Sequence, residues 1–354
     1  MTLGRKLIVF RVIGSQQIGM GHVYRALSLA HALTKHRVVF ATNKESAITV
    51  RRLVGDEYRV EVSAAEEAVE NIISLQPNLV VNDILDTEVT EVAPFQSNGI
   101  RVVNFEDLGP GARVANVTIN ELYDEPRSSG SNIRWGNSYF FMRDEFLDAK
   151  PRQYSNDVRC LLLAFGGTDQ HNLSSKILRT VYEECLAWKI QITIVTGPGY
   201  SRYSSLQKQV SSMRNASLTH ATGVISKIME QADLAITSNG RTVYEMAHMN
   251  IPALVIPQHR REQTHSFACP ENGFVALQPY TEGVTEIEVL KQLRKLLANV
   301  ELRKRLFNNT EHYSFSENKE RVVTLLEEQI LDSDIDSAGT RQTPSVSTVP
   351  QALG

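Results

Sequence analysis

The residues best suited to chemistry lie in a glycine-rich segment directly after the first apolar run. This segment, Gly14-Ser-Gln-Gln-Ile-Gly19-Met-Gly21-His22, leads straight into a stretch with helical periodicity. Glycines let the backbone turn tightly, and the amides at a helix N-terminus can face an anion. A positive imidazolium is disfavoured at that end of a helix, so His22 would be able to accept a proton. The segment predicts a general base beside an anion site; alternatively, the glycines only pack the helix and His22 only caps it.

A second glycine loop follows the apolar run that opens the second half of the chain. It reads Phe165-Gly166-Gly167-Thr168-Asp169. The two glycines permit close approach of a ligand, and the next two residues offer a hydroxyl and a carboxylate. A helix N-cap is the alternative role for Asp169.

A third loop, Thr237-Ser238-Asn239-Gly240-Arg241-Thr242, leads into a predicted helix that carries Glu245 one turn later. Amides of this first turn can hold a diphosphate, and Arg241 would add positive charge. Glu245 would then accept hydrogen bonds from both hydroxyls of a ribose. The alternative is an ordinary capped helix whose first-turn acid is solvated.

Two polar clusters lie after other apolar runs. The loop from Gln258 to His265 is expected at the same sheet edge as the third glycine loop. It is either part of the diphosphate site or only a solvated surface loop. Its two histidines are six residues apart without a third ligand pattern, so no zinc site is predicted. Asp83 and Asp86 follow the third apparent strand and are interpreted as a functional pair or as turn residues.

The elements that must position these loops alternate between strand-like and helix-like patterns. Strands are predicted at residues 7–13, 37–41, 79–81, 101–105, 139–142, 158–164, 191–196, 234–237 and 253–257. Helices are predicted near residues 23–33, 64–75, 88–96, 173–184, 241–248, 286–297, 301–309 and 317–328. This alternation favours two parallel α/β sheets of the Rossmann type in tandem, with ligands beyond the carboxyl ends of the strands.

Length and composition agree with two such domains. The chain has 354 residues, of which 42% are hydrophobic and 22% charged. At about 150 residues per domain, this predicts domains at 1–152 and 153–331, with a disordered tail at 332–354. A helix after the second sheet is expected to pack back across the cleft.

Residues 41–43, Ala-Thr-Asn, lack the acid that a nicotinamide dehydrogenase has after its second strand.

Charge and cysteine content exclude several partners. The net charge of −3 gives no electrostatic footprint for nucleic acid, and no apolar stretch approaches the roughly 18 residues of a membrane span. Three widely separated cysteines form neither a disulfide framework nor a CxxC metal site. No signal peptide is recognised, so we expect a cytoplasmic protein, without nucleic acid or stable membrane insertion, and by default a monomer.

Several motifs occur in one order along about residues 6 to 280. They are Gly19-Met-Gly21-His22 with Arg25 and Leu27, Phe105-Glu-Asp-Leu, Met142-Arg-Asp-Glu-Phe146, Gly166-Gly-Thr-Asp169 with Asn172-Leu-Ser, and Ser238-Asn-Gly-x-x-x-Tyr-Glu245. Together they resemble the PseG family, UDP-2,4-diacetamido-2,4,6-trideoxy-β-L-altropyranose hydrolases of pseudaminic acid synthesis, and the related SpsG spore-coat polysaccharide proteins. The third loop with its Glu resembles, more distantly, MurG and other GT-B glycosyltransferases.

The resemblance implies a GT-B fold and a UDP-sugar substrate. Water would attack the anomeric carbon with inversion and release of UDP, and His22 stands at the position of the family's general base. Arg25, Arg143 and Arg152 stand at or close to basic positions of the family. No metal or other cofactor is then required, because UDP is a good leaving group.

Two departures from the family pattern concern the sugar side. Ile84, beside Asp83, replaces an aromatic Tyr, and Glu262-Gln263 replaces an Asn-Gln pair. The identity of the sugar therefore stays open. A UDP-sugar hydrolase is the leading hypothesis, a GT-B glycosyltransferase is the second, and a non-catalytic nucleotide-sugar binding protein is the third.

Overall fold

The structure is a computed structural model that describes residues 5–14, 20–221 and 223–339. Within these residues the chain forms two parallel β-sheets covered by helices, which confirms the predicted α/β class. Gly19 and residues 340–354 lie outside the described residues, so the predicted ligand contact of Gly19 and the predicted nature of the tail there stay predictions.

The first sheet contains the strands of the N-terminal half in the order β3-β2-β1-β4-β5-β6-β7 among the described residues. Its elements are β1 (Leu7–Val12), α1 (Gly21–Ala32), β2 (Arg37–Asn43), α2 (Ala47–Val54), β3 (Arg59–Ser63), α3 (Ala68–Ser74), β4 (Leu79–Asp83), α4 (Val89–Ser97), β5 (Arg101–Phe105), β6 (Val117–Asn120) and β7 (Ile133–Trp135). The strand order reverses between β1 and β4, which opens a crevice at their carboxyl ends.

The second sheet has the described order β10-β9-β8-β11-β12-β13 and reverses between β8 and β11. The elements of this half are β8 (Cys160–Ala164), α5 (Leu173–Ala187), β9 (Gln191–Thr196), α6 (Tyr203–Ser211), β10 (Ala216–His220), α7 (Ile225–Met229), β11 (Leu234–Ser238), α8 (Thr242–His248), β12 (Ala253–Ile256), β13 (Phe274–Ala276), α9 (Val284–Ala298), α10 (Val300–Thr310) and α11 (Asn318–Gly339). The two reversal points frame one cleft.

Continuous apolar sequence produces the buried strands. Every residue of β1 is buried, and alternate side chains enter different cores: Ile8 and Phe10 pack in one, Leu7 and Val9 in the other. A parallel strand covered by helices on both faces requires this pattern, because its side chains alternate between two dry layers. The central strands were therefore the ones that the sequence predicted best.

Helix α11 crosses back to the first sheet, as predicted. Its Val322, Leu326 and Ile330 join the core that contains Ile8 and Phe10. The predicted bounds of the C-terminal domain, 153–331, and of the tail, 332–354, stay predictions. Helix α11 extends to Gly339.

Other errors concern short or exposed elements. The strand predicted at 139–142 is wrong: Asn137–Tyr139 forms a 3-10 turn, and the apolar residues after it are buried without pairing in a sheet. The prediction also missed β3, β6, β7, β10 and β13 and helices α2, α6 and α7. Strands β3 and β10 are partly exposed edge strands, so they lack the apolar run that marks a central strand.

Candidate catalytic and nucleotide-binding cleft

A cavity of about 270 Å³ lies between the facing strand ends of the two sheets. The loops after β1, β8 and β11 line it, together with the segment after β12. Its volume is near the lower end of small-molecule sites, about 300 Å³. The three glycine loops that the sequence singled out therefore meet at one place.

His22 lies in the first turn of α1, and its side chain is 11% exposed at the wall of the cleft. Its Nδ1 lies 2.5 Å from Oδ1 of Asp83. Asp83 ends β4, which pairs with β1 so that Val12 stands opposite Asp83. The carboxyl ends of these neighbouring strands bring the acid and the histidine together, although the residues are 61 positions apart.

Arg25 binds both oxygens of the Asp83 carboxylate, including the Oδ1 that His22 contacts. It donates from Nε to Oδ2 at 2.7 Å and from Nη2 to Oδ1 at 2.6 Å. Burial alone would raise the pKa of Asp83, but the charges and hydrogen bonds of Arg25 and His22 hold that pKa well below its usual value. Asp83 is consequently an ionised acceptor, so Nδ1 of His22 must carry a proton and Nε2 is the other basic atom of the ring.

More charged groups surround Arg25. Its Nη1 donates to Oε1 of Glu121 at 2.7 Å and lies 4.0 Å from Oε1 of Glu106. Burial raises the pKa of Glu106, against the opposing charges of Arg25 and Arg261. Arg241, which comes from the third glycine loop, contacts the same oxygen of Glu121. Two arginines from different domains thus share one buried carboxylate.

Arg241 lies at the junction of the two domains. Its guanidinium lies 4.4 Å from the ring centre of Phe140 and donates to the carbonyl oxygen of Phe141 at 3.0 Å. Burial, followed by the charge of Arg25, lowers its pKa to about 9. The side chain still lines the cleft, but its contacts join the two domains.

Arg143 and Glu245 form a second link between the domains. Nε of Arg143 donates to Oε1 of Glu245 at 2.9 Å, and Nη1 lies 2.6 Å from Oε1 of Glu145. Both Arg143 and Glu245 line the cleft, as predicted for substrate-binding residues. The sequence did not predict that they would pair with each other.

Close backbone approach explains the second glycine loop. A Cβ atom on Gly197, at the end of β9, would lie 2.4 Å from Cα of Gly167. Gly166 adopts a φ of 77°, which favours glycine. Asp169 is a helix cap, since its carboxylate accepts the amides of Leu173 at 2.6 Å and Ser174 at 2.8 Å. Here the structural alternative is the one observed.

The third loop is tied to the polar segment after β12. Asn239 donates to the carbonyl oxygens of Glu262 at 2.8 Å and His265 at 3.1 Å. Burial lowers the pKa of His265 to about 4, and its Nδ1 lies 2.7 Å from the carbonyl oxygen of Asn239. These residues therefore shape the loop, while Ser238, Gly240 and Thr242 line the cavity.

Glu262 presents an acid to the side of the cleft that the second domain forms. Its Oε2 accepts the amide of Gln258 at 2.7 Å, and Oε1 lies 3.6 Å from Nε2 of His259. Burial raises the pKa of Glu262 to about 7. The carboxyl group can consequently change its charge near neutral pH.

Most of the predicted site residues come together. Those that line the cavity are Gly21, His22, Arg25, Arg143, Gly166, Gly167, Thr168, Ser238, Gly240, Arg241, Thr242, Glu245 and Glu262. Asp83 stands behind His22. Asn239 and Gln263 are in the same loops but are not lining residues, and Gly19 lies outside the described part of the chain.

Arg152 is placed elsewhere. It ion-pairs with Asp233 and donates to the carbonyl oxygen of Glu230 at 3.1 Å, in the segment that joins the two sheets. Arg152 does not line the cleft, because it is bound to Asp233, the residue directly before β11. Asp86 pairs with Arg261 at 2.8 Å across the domains and does not act as a partner of Asp83.

Sequence reasoning missed several lining residues, including Tyr24, Glu106, Thr196 and Gly197. Only Glu106, inside the Phe105-Glu-Asp-Leu motif, carried a recognisable signal. Among the described residues, no group of three or more His, Cys, Asp or Glu side chains could hold a metal ion. Likewise, none of the described helices combines the length and apolar character needed to cross a bilayer.

Comparison with known proteins places these features in a family context. Residues 161–322 match the glycosyltransferase family 28 C-terminal domain. An uncharacterized protein of Methanocaldococcus jannaschii, MJ1062, is 26% identical over 71% of this chain, and the match spans 55% of that relative's length. The spore coat polysaccharide biosynthesis protein SpsG of Bacillus subtilis is 23% identical over 82% of this chain and 88% of its own.

A hydrolase and a solved structure complete the comparison. The UDP-2,4-diacetamido-2,4,6-trideoxy-β-L-altropyranose hydrolase of Campylobacter jejuni is 26% identical over 67% of this chain and 86% of its own. The crystal structure of Acinetobacter baumannii MurG superposes with a TM-score of 0.67 and 17% identity, covering 91% of this chain and 99% of that one. The chain is thus similar to SpsG and to the Campylobacter hydrolase, and it has the MurG-like GT-B fold of two Rossmann-like domains.

Proposed function

We propose that this protein is a nucleotide-sugar hydrolase that cleaves a UDP-linked (di)acetamido-trideoxy sugar at its anomeric carbon. It would serve nonulosonic (pseudaminic-type) acid or surface polysaccharide biosynthesis. The observation that carries the proposal is the His22–Asp83 pair at the wall of the cleft, opposite the glycine loops of the second domain. The similarity to the Campylobacter hydrolase supports the reaction type.

His22 is the general base in this proposal. A water oxygen attacks C1 of the sugar while Nε2 of His22 takes one proton from that water. The bond between C1 and the phosphate oxygen breaks, and UDP leaves with the bonding electron pair, so the configuration at C1 inverts. Asp83 accepts the hydrogen bond of Nδ1 and stabilises the imidazolium that forms.

UDP is assigned to the second domain. The backbone amides of the Gly166-Gly167-Thr168 loop and of the loop around Gly240 would face the diphosphate, and Glu245 would accept hydrogen bonds from the ribose. Glycines 167 and 197 touch through their backbones, which leaves no side chain between the loop and a ligand. This arrangement binds an anion without a basic surface, in agreement with the net charge of −3.

Acceptor-free turnover tests the proposal. The purified protein is incubated in ¹⁸O-labelled water with UDP-2,4-diacetamido-2,4,6-trideoxy-β-L-altropyranose, the sugar nucleotide for which the Campylobacter hydrolase is named, and UDP release is followed. Hydrolysis places ¹⁸O on C1 of the sugar and leaves UDP unlabelled, with inverted configuration by NMR. Strict dependence of UDP release on an added sugar or lipid acceptor would refute hydrolysis.

A GT-B glycosyltransferase is the second candidate. The family 28 C-terminal match and the MurG-like fold favour it. An acceptor hydroxyl would then replace water, with His22 still as base. Tight UDP binding without turnover, unaffected by His22→Ala, would instead indicate the third hypothesis, a non-catalytic binding protein.

A further inference from the structure

Glu245 is held by a residue that lies outside its own domain's sheet. Oε1 of Glu245 accepts Nε of Arg143 at 2.9 Å across 102 positions of sequence. Only 7% of the Glu245 side chain is exposed, so its carboxylate has little freedom to turn. Within the described residues, no further hydrogen bond to the side chain of Glu245 is found, which leaves Oε2 for a ligand.

Arg143 is itself fixed from three directions. Its Nη1 pairs with Glu145 at 2.6 Å, and its guanidinium lies 5.4 Å from the ring centre of Tyr24 and 5.5 Å from that of Phe146. Glu145 in turn accepts the amide of Ser226, at the start of α7, at 3.2 Å. These contacts hold the planar guanidinium in one orientation. Its Nε–H therefore has a fixed direction, and this fixes the position of the Glu245 carboxylate that accepts it.

A carboxylate that must bind two neighbouring hydroxyls needs a defined plane. If Glu245 could rotate, losing one hydroxyl would cost little, because the carboxylate would turn to the remaining one. A carboxylate fixed through one oxygen cannot compensate in this way, and an acceptor left unpaired in a dry cleft is unfavourable. Fixing Glu245 should therefore increase discrimination between ribose and 2′-deoxyribose.

We propose that Arg143 is a positioning residue that orients Glu245 and so makes the cleft select ribonucleotides over 2′-deoxyribonucleotides. This inference rests on the proposed function, in which Glu245 binds the ribose of UDP. This positioning role can be distinguished from a direct contact between Arg143 and a phosphate of the nucleotide. A phosphate contact would strengthen UDP and 2′-deoxy-UDP equally, whereas a positioning role changes their ratio.

Calorimetric titration with UDP and with 2′-deoxy-UDP tests the proposal in the full chain. We expect the native protein to prefer UDP by at least about tenfold, the size of one well-formed hydrogen bond to a charged group. Arg143→Met should lower the affinity for UDP by about tenfold, with little effect on 2′-deoxy-UDP, so that the preference falls close to one. Arg143→Lys, which keeps the charge but not the fork, should give an intermediate ratio.

One further variant tests the ribose contact, and another serves as a control. Glu245→Gln should also lose the preference, since the proposed ribose acceptor is then altered. Arg294→Met removes an arginine of a surface ion pair with Glu184 and should change neither affinity. Arg143→Lys carries the test if Arg143→Met does not fold.

The results of these titrations distinguish a failure of the positioning role from a failure of the proposed function. An equal loss of both affinities in Arg143→Met, or a preserved preference, overturns the positioning role while UDP binding stands. A gain in UDP affinity also overturns it, because Arg143 would then be a competitor of the ribose. If the native protein binds UDP without preference, the inference fails; if it binds no UDP at all, the proposed function itself fails.

Discussion

The two walls of the cleft are built in different ways. The N-terminal wall consists of charged side chains that bind one another, with His22, Asp83, Arg25 and Glu121 in one chain of contacts. The C-terminal wall brings glycines at 166, 167, 197 and 240 close to the cavity, and its charged lining residues, Arg241, Glu245 and Glu262, stand beside them. Arg241 and Arg143 join the two walls.

The difference suggests that the first wall serves proton transfer and the second wall serves phosphate binding. Charged side chains in a dry setting can move a proton, because their positions and charges are fixed in advance. Backbone amides can hold a phosphate without bringing a full positive charge, and they need glycines so that the ligand can approach. We therefore expect substitutions on the first wall to affect turnover and those on the second wall to affect UDP binding.

His22→Ala provides the largest expected effect. Removal of a general base lowers kcat by about 10³-fold, while the UDP dissociation constant should change less than about threefold if the walls act separately. Turnover assays and titration with UDP measure the two quantities. His312→Ala, at an exposed histidine, is the control. A large loss of UDP affinity in His22→Ala would break the proposed separation.

Asp83→Asn tests the support behind the base. The amide removes the negative charge that orients His22, so we expect kcat to fall by about 100-fold. It also leaves Arg25 with one ionised partner fewer in a buried site, which should lower the free energy of unfolding by about 3 kcal/mol. Kinetics and urea denaturation check both values. Unchanged kcat in a folded variant would contradict the role of Asp83.

Gly197→Ala tests the second wall. Its Cβ would overlap the backbone of Gly167 at 2.4 Å, so the two loops must separate. We expect about 2 kcal/mol lower stability and about tenfold weaker UDP binding, with kcat at saturating substrate nearly kept. Gly223→Ala is the control, because a Cβ at that position meets nothing within 4 Å. Equal behaviour of both variants would contradict the close-packing argument.

Glu262→Gln has the smallest expected effect, and it depends on pH. Burial raises the pKa of Glu262 to about 7, so the group is neutral below that pH and ionised above it. The ionised form repels a diphosphate. We expect Glu262→Gln to bind UDP severalfold more tightly than the native protein at pH 8.5 and equally at pH 5.5. Comparing both proteins at each pH removes the titration of UDP itself.

The same substitution should alter stability with a defined sign. The pKa of Glu262 in the folded state is above its usual value of 4.5, so the folded protein holds the proton more tightly than the unfolded chain. Its contribution to the free energy of unfolding is lost as pH rises through 7, by about 3 kcal/mol at most. Urea denaturation from pH 5.5 to 8.5 should therefore be flatter for Glu262→Gln, while Glu301→Gln at an exposed site behaves as the native protein.

Much of the architecture was predictable because its signals are local. Central strands such as β1 are continuous apolar runs, and the glycine loops follow them directly. Edge strands such as β3 and β10 were missed because half-exposed residues show no such run. The 139–142 segment is apolar for a different reason: Phe140 and Phe141 are buried in the cores that contain Tyr244 and Phe10, respectively, and neither pairs in a sheet.

The sequence by itself determined the two α/β sheets, the loops that carry the chemistry and the histidine in the first of them, since hydrophobic period and glycine spacing act over a few residues. Only the tertiary structure decided which charges meet. The order of strands brought Asp83 to His22 over 61 positions, and domain packing brought Arg143 to Glu245 over 102. It also paired Arg152 with Asp233, away from the cleft. Such pairs depend on how parallel strands are ordered and how the two sheets face each other, and no local pattern encodes that arrangement.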